Sequence, residues 1–345
     1  MSNLSTRLGL SRYSGLYVLA IFVIVYSIWL PRTFPTIITA QNIAANLAIT
    51  GVAALGLVCA LAVGAFDLSI ANVLGLSSTM AAALVVRLQT PTALAIVVVL
   101  ALGVAVGLIN ALLVVKLHIP SVVATLGMSS VLLALDRFIT EGQFITPLPA
   151  SFTALTSESL FGIPTPFVVL LVVALLTWYL LEHTALGRRM IATGAGADAA
   201  RLAGTNTGQA VFAGLLMSSF LGSLAGVMLV STIGSAAPNS GPAYLLPLFA
   251  AVYLGSTQIK PGRFNVWGTV VALVVLATGV KGLQLAGGQM WVADLFNGVA
   301  LILAVGVAIA AQRRRGTRVK PPAVPRAKGR GTANPDSALR SAVVS

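Results

Sequence analysis

The sequence predicts an all-α, polytopic membrane helix bundle of about ten transmembrane helices, with both termini on the cytoplasmic side. Three observations carry that expectation. Of the 345 residues, 57% are hydrophobic and only 8% are charged, whereas a soluble domain carries about 25% charged residues. The apolar residues gather into runs close to the ~20 residues that one helix needs to cross a bilayer core. The basic residues are then distributed unequally about those runs, as the positive-inside rule requires.

The runs lie at 14–30, 43–63, 69–86, 92–115 and 120–135, then, after a longer polar stretch, at 167–181, 209–232, 244–257, 264–280 and 292–311. Arg7 and Arg12 precede the first, in the manner of a signal peptide. It is followed by "PRTFPTIITAQN" without a small-residue cleavage pattern, so it is expected to stay as a span. With a cytoplasmic N-terminus, every one of the 21 Lys and Arg residues except Arg32, Arg87, Arg137 and Lys281 falls on the inner side.

A transmembrane domain is therefore expected over 1–312 and a basic, disordered cytoplasmic tail over 313–345. The tail, "RRRGTRVKPPAVPRAKGRGTANPDSALR" and beyond, mixes Pro, Gly and like charges without apolar periodicity. It is read as a stop-transfer anchor held near anionic headgroups, with a regulatory segment as the alternative.

Several function classes drop out. The net charge of +13 sits at span ends and in the tail without interleaved aromatics, which argues against nucleic acid as a partner. No Gly-Lys-Ser or Gly-Lys-Thr occurs, so the chain has no phosphate-cradling loop and no ATPase of its own. His118 and His183 flank spans without metal-ligand spacing, and the single Cys59 lies inside an apolar run, so no metal site or cofactor bound by this chain is expected.

Three segments could carry function. "EHTALGRRMIATGAGADAARLAGTN", 182–206, is the longest cytoplasmic connection. It should break at Gly194 and Gly196, restart as a short surface helix at Asp198 and stop at Gly204. A solvated linker whose arginines only set orientation is the plainer reading. In "ALAVGAFDLSIANVLGLSS", 60–78, Asp67 stands between two apolar runs with almost no polar loop. An acid in lipid costs ~2.5–3.5 kcal/mol, so a helix break after Gly64 is expected, with Asp67 capping freed N–H groups near Ser69. Asp67 is either a structural cap at a tight turn or part of a break that lines a translocation path.

The third segment, "KLHIPSVVATLGMSSVLLAL", carries Ser121, Thr125, Ser129 and Ser130 at helical spacing. With Asn42, Asn46, Asn72 and Asn110 from other runs, they could form a weakly polar lumen suited to hydroxylated solutes. Hydroxyls bonding their own helix or a neighbour are the simpler alternative. "GVAVG" and "GSLAG", beginning at Gly103 and Gly222, fit close helix packing, with dimerisation as the further option.

Together "GAFDLSIANVLGLSS", "IPSVVATLGMSSVLLAL" and above all "TALGRRMIATGAGADAARLAGTN" resemble the permeases of bacterial ABC importers for monosaccharides, of the ribose, xylose and autoinducer-2 type. The likeness runs over 41–311. It implies a permease homodimer in the inner membrane, fed by a periplasmic or lipid-anchored sugar-binding protein. Two cytoplasmic ABC ATPase subunits would use ATP and Mg. The stretch around Gly187, Arg188, Gly194, Asp198, Ala200, Arg201, Leu202 and Gly204 matches the family's ATPase-coupling segment. The resemblance implies alternating access, and on the residue reading above Asp67, Ser69, Asn72, Asn46, Ser121 and Thr125 belong to the translocation path or to the helix break. The loops 140–166 and 234–243 would receive the binding protein. The chain has "GAGAD" where the family more often has Gly-Gly-Asn, and Ala65, Phe66 and Asn72 depart from the family's earlier block. A branched-chain amino-acid permease and an ion-coupled secondary transporter stay open as alternatives.

Overall fold

The computed structural model describes residues 13–289 and 291–316, with 307–316 described through the backbone alone. The described chain is helical almost throughout. Its elements are α1 (Ser14–Trp29), α2 (Ile37–Ala62), α3 (Ile70–Val86), α4 (Thr92–Val115), α5 (Ser121–Thr140), α6 (Ala150–Ser157), β1 (Ser159–Leu160), β2 (Ile163–Pro164) and α7 (Thr165–His183). They continue with α8 (Ala185–Ala195), α9 (Ala197–Leu202), α10 (Thr207–Ile233), α11 (Pro242–Ser256), α12 (Val266–Leu285) and α13 (Trp291–Gly316). Helix starts follow the capping chemistry of the sequence. Thr36, Thr184, Asn206 and Asn265 accept from the N–H three residues on and so open α2, α8, α10 and α12.

Helices α2, α4, α5, α7, α10 and α12 are long and apolar enough to cross a membrane, and α1, α3, α11 and 291–306 of α13 are shorter apolar helices. Each apolar run expected from the sequence is thus a helix. α13 continues to Gly316, past the expected start of the basic tail, while Arg7, Arg12 and the tail from 317 onward lie outside the described residues.

The core is built around α2 and α10, whose inner faces are buried along most of their length. α10 packs against α4, α2 and α3. The small residues decide these contacts. Gly103 and Gly107 of α4 lie against Ser219, Ser223 and Leu216 of α10, and Gly222 and Gly226 of α10 lie against Ile70 and Leu74 of α3. Both Gly-x-x-x-Gly pairs are therefore consumed inside the chain, which removes the dimerisation reading of those motifs.

The same contacts explain why α3 and α11 are short. The first residue of α3 is level with Gly222, about 15 residues or ~22 Å along α10. α11 starts where Gly241 packs on Ala71 and Asn72 of α3. The 234–241 connection therefore dips from one end of the bundle back into its interior. Irregular backbone at such depth is tolerated where the protein takes its N–H groups, as Ile145 O does for Ala236 and the Asp136 carboxylate does for Asn239.

The connections segregate to two ends. One end holds α8 and α9. There Lys260 pairs with Glu182 at 2.5 Å, and Gly208 packs on Val115. The other holds the β1–β2 hairpin, where Gln41 Nε2 donates to Gly162 O at 2.8 Å, Ile145 bridges Ala236, and Arg87 Nη1 donates to Ile139 O at 2.7 Å. The 140–166 loop expected from the sequence contains α6 and that hairpin.

Candidate functional site

The 182–206 segment folds as two helices rather than one. "ALGRRMIATGA" is helical as α8, and the chain breaks only at Gly196, so the expected break at Gly194 is corrected, while Asp198 stands in the first turn of the restarted helix as expected. α8 buries Gly187, Met190 and Thr193, three residues apart, and turns Arg188 and Arg189 outward. α9 buries Ala200 and exposes Asp198, Arg201 and Leu202, the last at 92%. Gly204, at φ +81°, ends it as expected, and Thr205 N–H reaches back to Ala200 O at 2.9 Å.

What placed Gly194 inside a helix is a packing requirement that lies far away in sequence. A Cβ at Gly194 would overlap the Ala62 carbonyl at the end of α2 and come within 3.2 Å of Gly64 N. Gly187 is likewise jammed against the last turn of α7, where a Cβ would overlap the Leu180 and Leu181 carbonyls. α8 is therefore seated directly on the α2–α3 break. Two segments singled out separately in the sequence are one structural unit.

The break, 63–69, satisfies its backbone partly from within and partly from α5. Gly64, at φ +80°, ends the α2 run, and Asp67, 0% exposed, accepts from Ser69 N at 2.9 Å and Ser69 Oγ at 2.6 Å. Asp67 is the cap that the sequence suggested, but at the depth of the α10 midpoint rather than at a membrane surface. It caps only part of the break. Phe66 N donates to Ser121 Oγ and Leu68 N to Thr125 Oγ1, both at 3.1 Å. Asn110 Nδ2 donates to Ser69 Oγ at 2.9 Å, and Asn72 Nδ2 donates to Ser129 Oγ at 2.7 Å. Leu68–Thr125, Asn72–Ser129 and Thr79–Asp136 keep a constant offset of 57 residues, so α5 runs beside α3 as a parallel splint.

Asp67 Oδ2, Asn110 Oδ1 and Ser218 Oγ have no hydrogen-bond partner among the described residues, and Ser218 lies beside the carboxylate outside bonding geometry. These atoms face protein on every side. Ser121, Thr125, Asn72 and Asn110, expected among lumen residues, thus bond within the chain, Asn110 through its Nδ2 alone.

Asn46 is elsewhere. It lies with Asn42 and Thr50 on one face of α2, opposite Lys281 and Gln284 of α12 and Asn297 of α13, around a cavity of about 320 Å³. Asn42 and Asn46 are both exposed. The lining residues of α12 and α13, and the floor at Pro247 of α11, were not singled out as site residues in the sequence. The signal was available only for α2, as polar residues at i, i+4 and i+8. Among the described residues no group of His, Cys, Asp and Glu could hold a metal ion.

A family described as "Branched-chain amino acid transport system / permease component" matches residues 39–305. The ribose import permease protein RbsC of Escherichia coli K12 is 30% identical over 309 residues, covering 87% of this chain and 94% of the relative. RbsC of Bacillus subtilis strain 168 is 32% identical over 86% of this chain and 91% of its own length. The autoinducer 2 import system permease protein LsrD of Salmonella paratyphi B is 31% identical, covering 74% and 78%. No solved structure matches. A multi-pass helical bundle with a family match across nearly all of it, this chain belongs to the family of transport-system permease components.

Proposed function

We propose that this chain is the membrane permease subunit of an ATP-driven importer for a monosaccharide such as ribose, working by alternating access in the bacterial inner membrane. The observation that carries the mechanism is the seating of α8 on the helix break. An exposed surface of Arg188, Arg189, Arg201 and Leu202 is joined rigidly, through Gly194, to the point where α2 ends. Motion imposed on that surface reaches the bundle interior without an intervening flexible loop.

In this scheme the apolar helices cross the bilayer ten times. The α8 end is cytoplasmic, because it holds Lys116, Arg188, Arg189, Arg201, Lys260 and Arg263, while Arg32, Arg87, Arg137 and Lys281 lie at the other end. α8 and α9 bind ABC ATPase subunits, which use ATP and Mg and bias the inward and outward states by their differential affinity for them. The hairpin end receives a sugar-binding protein through 140–166 and 234–243. A second copy of the chain completes the pore. This subunit performs no covalent chemistry. The names of the relatives favour a sugar, whereas the family description keeps a branched-chain amino acid as the second reading.

Two experiments test this. Thermal shift of the cognate binding protein against pentoses, hexoses and branched-chain amino acids decides the solute, and stabilisation by leucine alone removes the sugar assignment. Arg201→Glu in proteoliposomes containing the ATPase subunits is expected to insert normally but lower uptake about tenfold or more, the range of a lost coupling free energy. Normal uptake and normal ATPase stimulation by the loaded binding protein would show that α9 is not the coupling surface.

A further inference from the structure

The cleft between α2, α12 and α13 keeps polar groups that the protein does not use, and unlike the unpartnered Asp67 Oδ2, Asn110 Oδ1 and Ser218 Oγ at the break they line a cavity. Asn46 Nδ2 donates to Asn42 O at 2.9 Å on its own helix, which leaves its carbonyl oxygen turned to the cavity. Asn42, Gln284 and Asn297 add three further carboxamides, each able to donate and accept, while Thr50 adds a hydroxyl and Lys281 an ammonium. Carboxamides exposed on a helix as apolar as α2 cannot face lipid without cost, so this side meets water, solute or protein.

From this geometry we infer that the cleft is a low-affinity binding site for a small, neutral polyhydroxylated solute on its way through the permease. The inference rests on the permease function proposed above and adds a location. A volume of about 320 Å³ lies at the small end of ligand cavities, suited to a monosaccharide-sized solute. The donors and acceptors run from Asn42 to Thr50, ~12 Å along α2, so hydroxyls spread around a small ring all find partners. The single charge of the lining is the Lys281 ammonium and there is no carboxylate, so the ammonium of a zwitterionic amino acid would find no counter-charge there. Apolar side chains of Leu273, Leu276 and Ala277 complete the wall and offer a flat surface to the C–H face of a sugar ring. The cleft opens toward the hairpin end, because α2 starts there and α12 ends there.

The test uses thiol labelling in the assembled importer. Cys59, the single cysteine and fully buried, is first removed as Cys59→Ala, and Asn46→Cys is introduced. Labelling by a membrane-impermeant maleimide is then timed with and without D-ribose, D-xylose, ribitol and L-leucine at high concentration. The polyols are expected to slow labelling about threefold or more, and leucine to leave it unchanged. Equal protection by leucine, no protection by any solute, or a disulfide between two copies through Asn46→Cys would each overturn the inference, the last by showing that a second chain fills the cleft. If Asn46→Cys does not reach the membrane, Gln284→Cys on the facing helix gives the same readout. ATP-dependent sugar uptake by the Cys59→Ala parent separates the two claims. Uptake without protection removes the cleft site alone, and absence of any sugar uptake removes the proposed function.

Discussion

The break and the cleft are made of the same residue types and behave in opposite ways. At the break, Asp67, Ser69, Asn72, Asn110, Ser121 and Thr125 bond one another and the freed backbone. In the cleft, Asn46 spends only its Nδ2, on Asn42 O, and the side chains of Asn42, Gln284 and the buried Asn297 line the cavity without a hydrogen bond among the described residues. The difference comes from what each set must satisfy. A helix interrupted in the bundle interior exposes N–H groups that cost ~1–3 kcal/mol each if left unpaired, so nearby hydroxyls are drawn into repair. Of the helices around the cleft, α2, α12 and α13 are unbroken there and their backbones need nothing from their side chains, while α11 carries Pro247 within its helix. Polar residues inside this bundle are thus cement where the backbone fails, and the proposed solute site lies where it does not.

The largest effect is expected where the break meets α8. Gly194→Leu would push a side chain into the Ala62 carbonyl and separate α8 from α2. Overpacking costs about 1–3 kcal/mol and a backbone carbonyl cannot swing aside as a side chain can, so loss of folded protein, read by size-exclusion chromatography in detergent, should follow. Wild-type yield would show that the two segments are not rigidly joined. Next comes Asp67→Ala, which removes the acceptor for both Ser69 N and Ser69 Oγ and should cost about 2–3 kcal/mol. Asp67→Asn keeps one acceptor and should lower folding yield less, without altering which sugar is carried. A change of sugar preference at normal yield would move Asp67 from cement to path.

Thr125→Val is a sharper and smaller probe. It strands Leu68 N–H and should lower thermal stability by about 1–2 kcal/mol, with Thr125→Ser restoring most of it. If Thr125→Val were neutral, α5 would not be a splint. Asn46→Leu, at the other pole of the comparison, should leave yield and melting temperature unchanged and reduce uptake. Destabilisation there would place the cleft among the structural networks.

Much of this was legible in the residues. The apolar runs foretold each long helix, and Gly64, Asp67 and Ser69 foretold the break, because composition and local capping act within a few positions. Gly204 foretold the end of α9 for the same reason. The helical state of Gly194 was hidden, since the carbonyl that demands a glycine belongs to Ala62, more than a hundred residues earlier. So was the division of the asparagines. Asn46 and Asn110 look alike in sequence, and only the packing of α12 and α13 beside one and Ser69 beside the other separates them. The re-entrant 234–241 connection was hidden too, because its place depends on Asp136 accepting from Asn239 N at 2.8 Å and on Gly241 meeting α3.

The most direct measurement compares Arg201→Cys with Asn46→Cys, each in the Cys59→Ala background, labelled by an impermeant reagent in right-side-out and inverted membrane vesicles. The predicted result is that Arg201→Cys reacts only in inverted vesicles and Asn46→Cys only in right-side-out ones, placing the coupling surface and the open cleft on opposite faces of the membrane. Reaction of both from the same side, or of Arg201→Cys from outside alone, would contradict it.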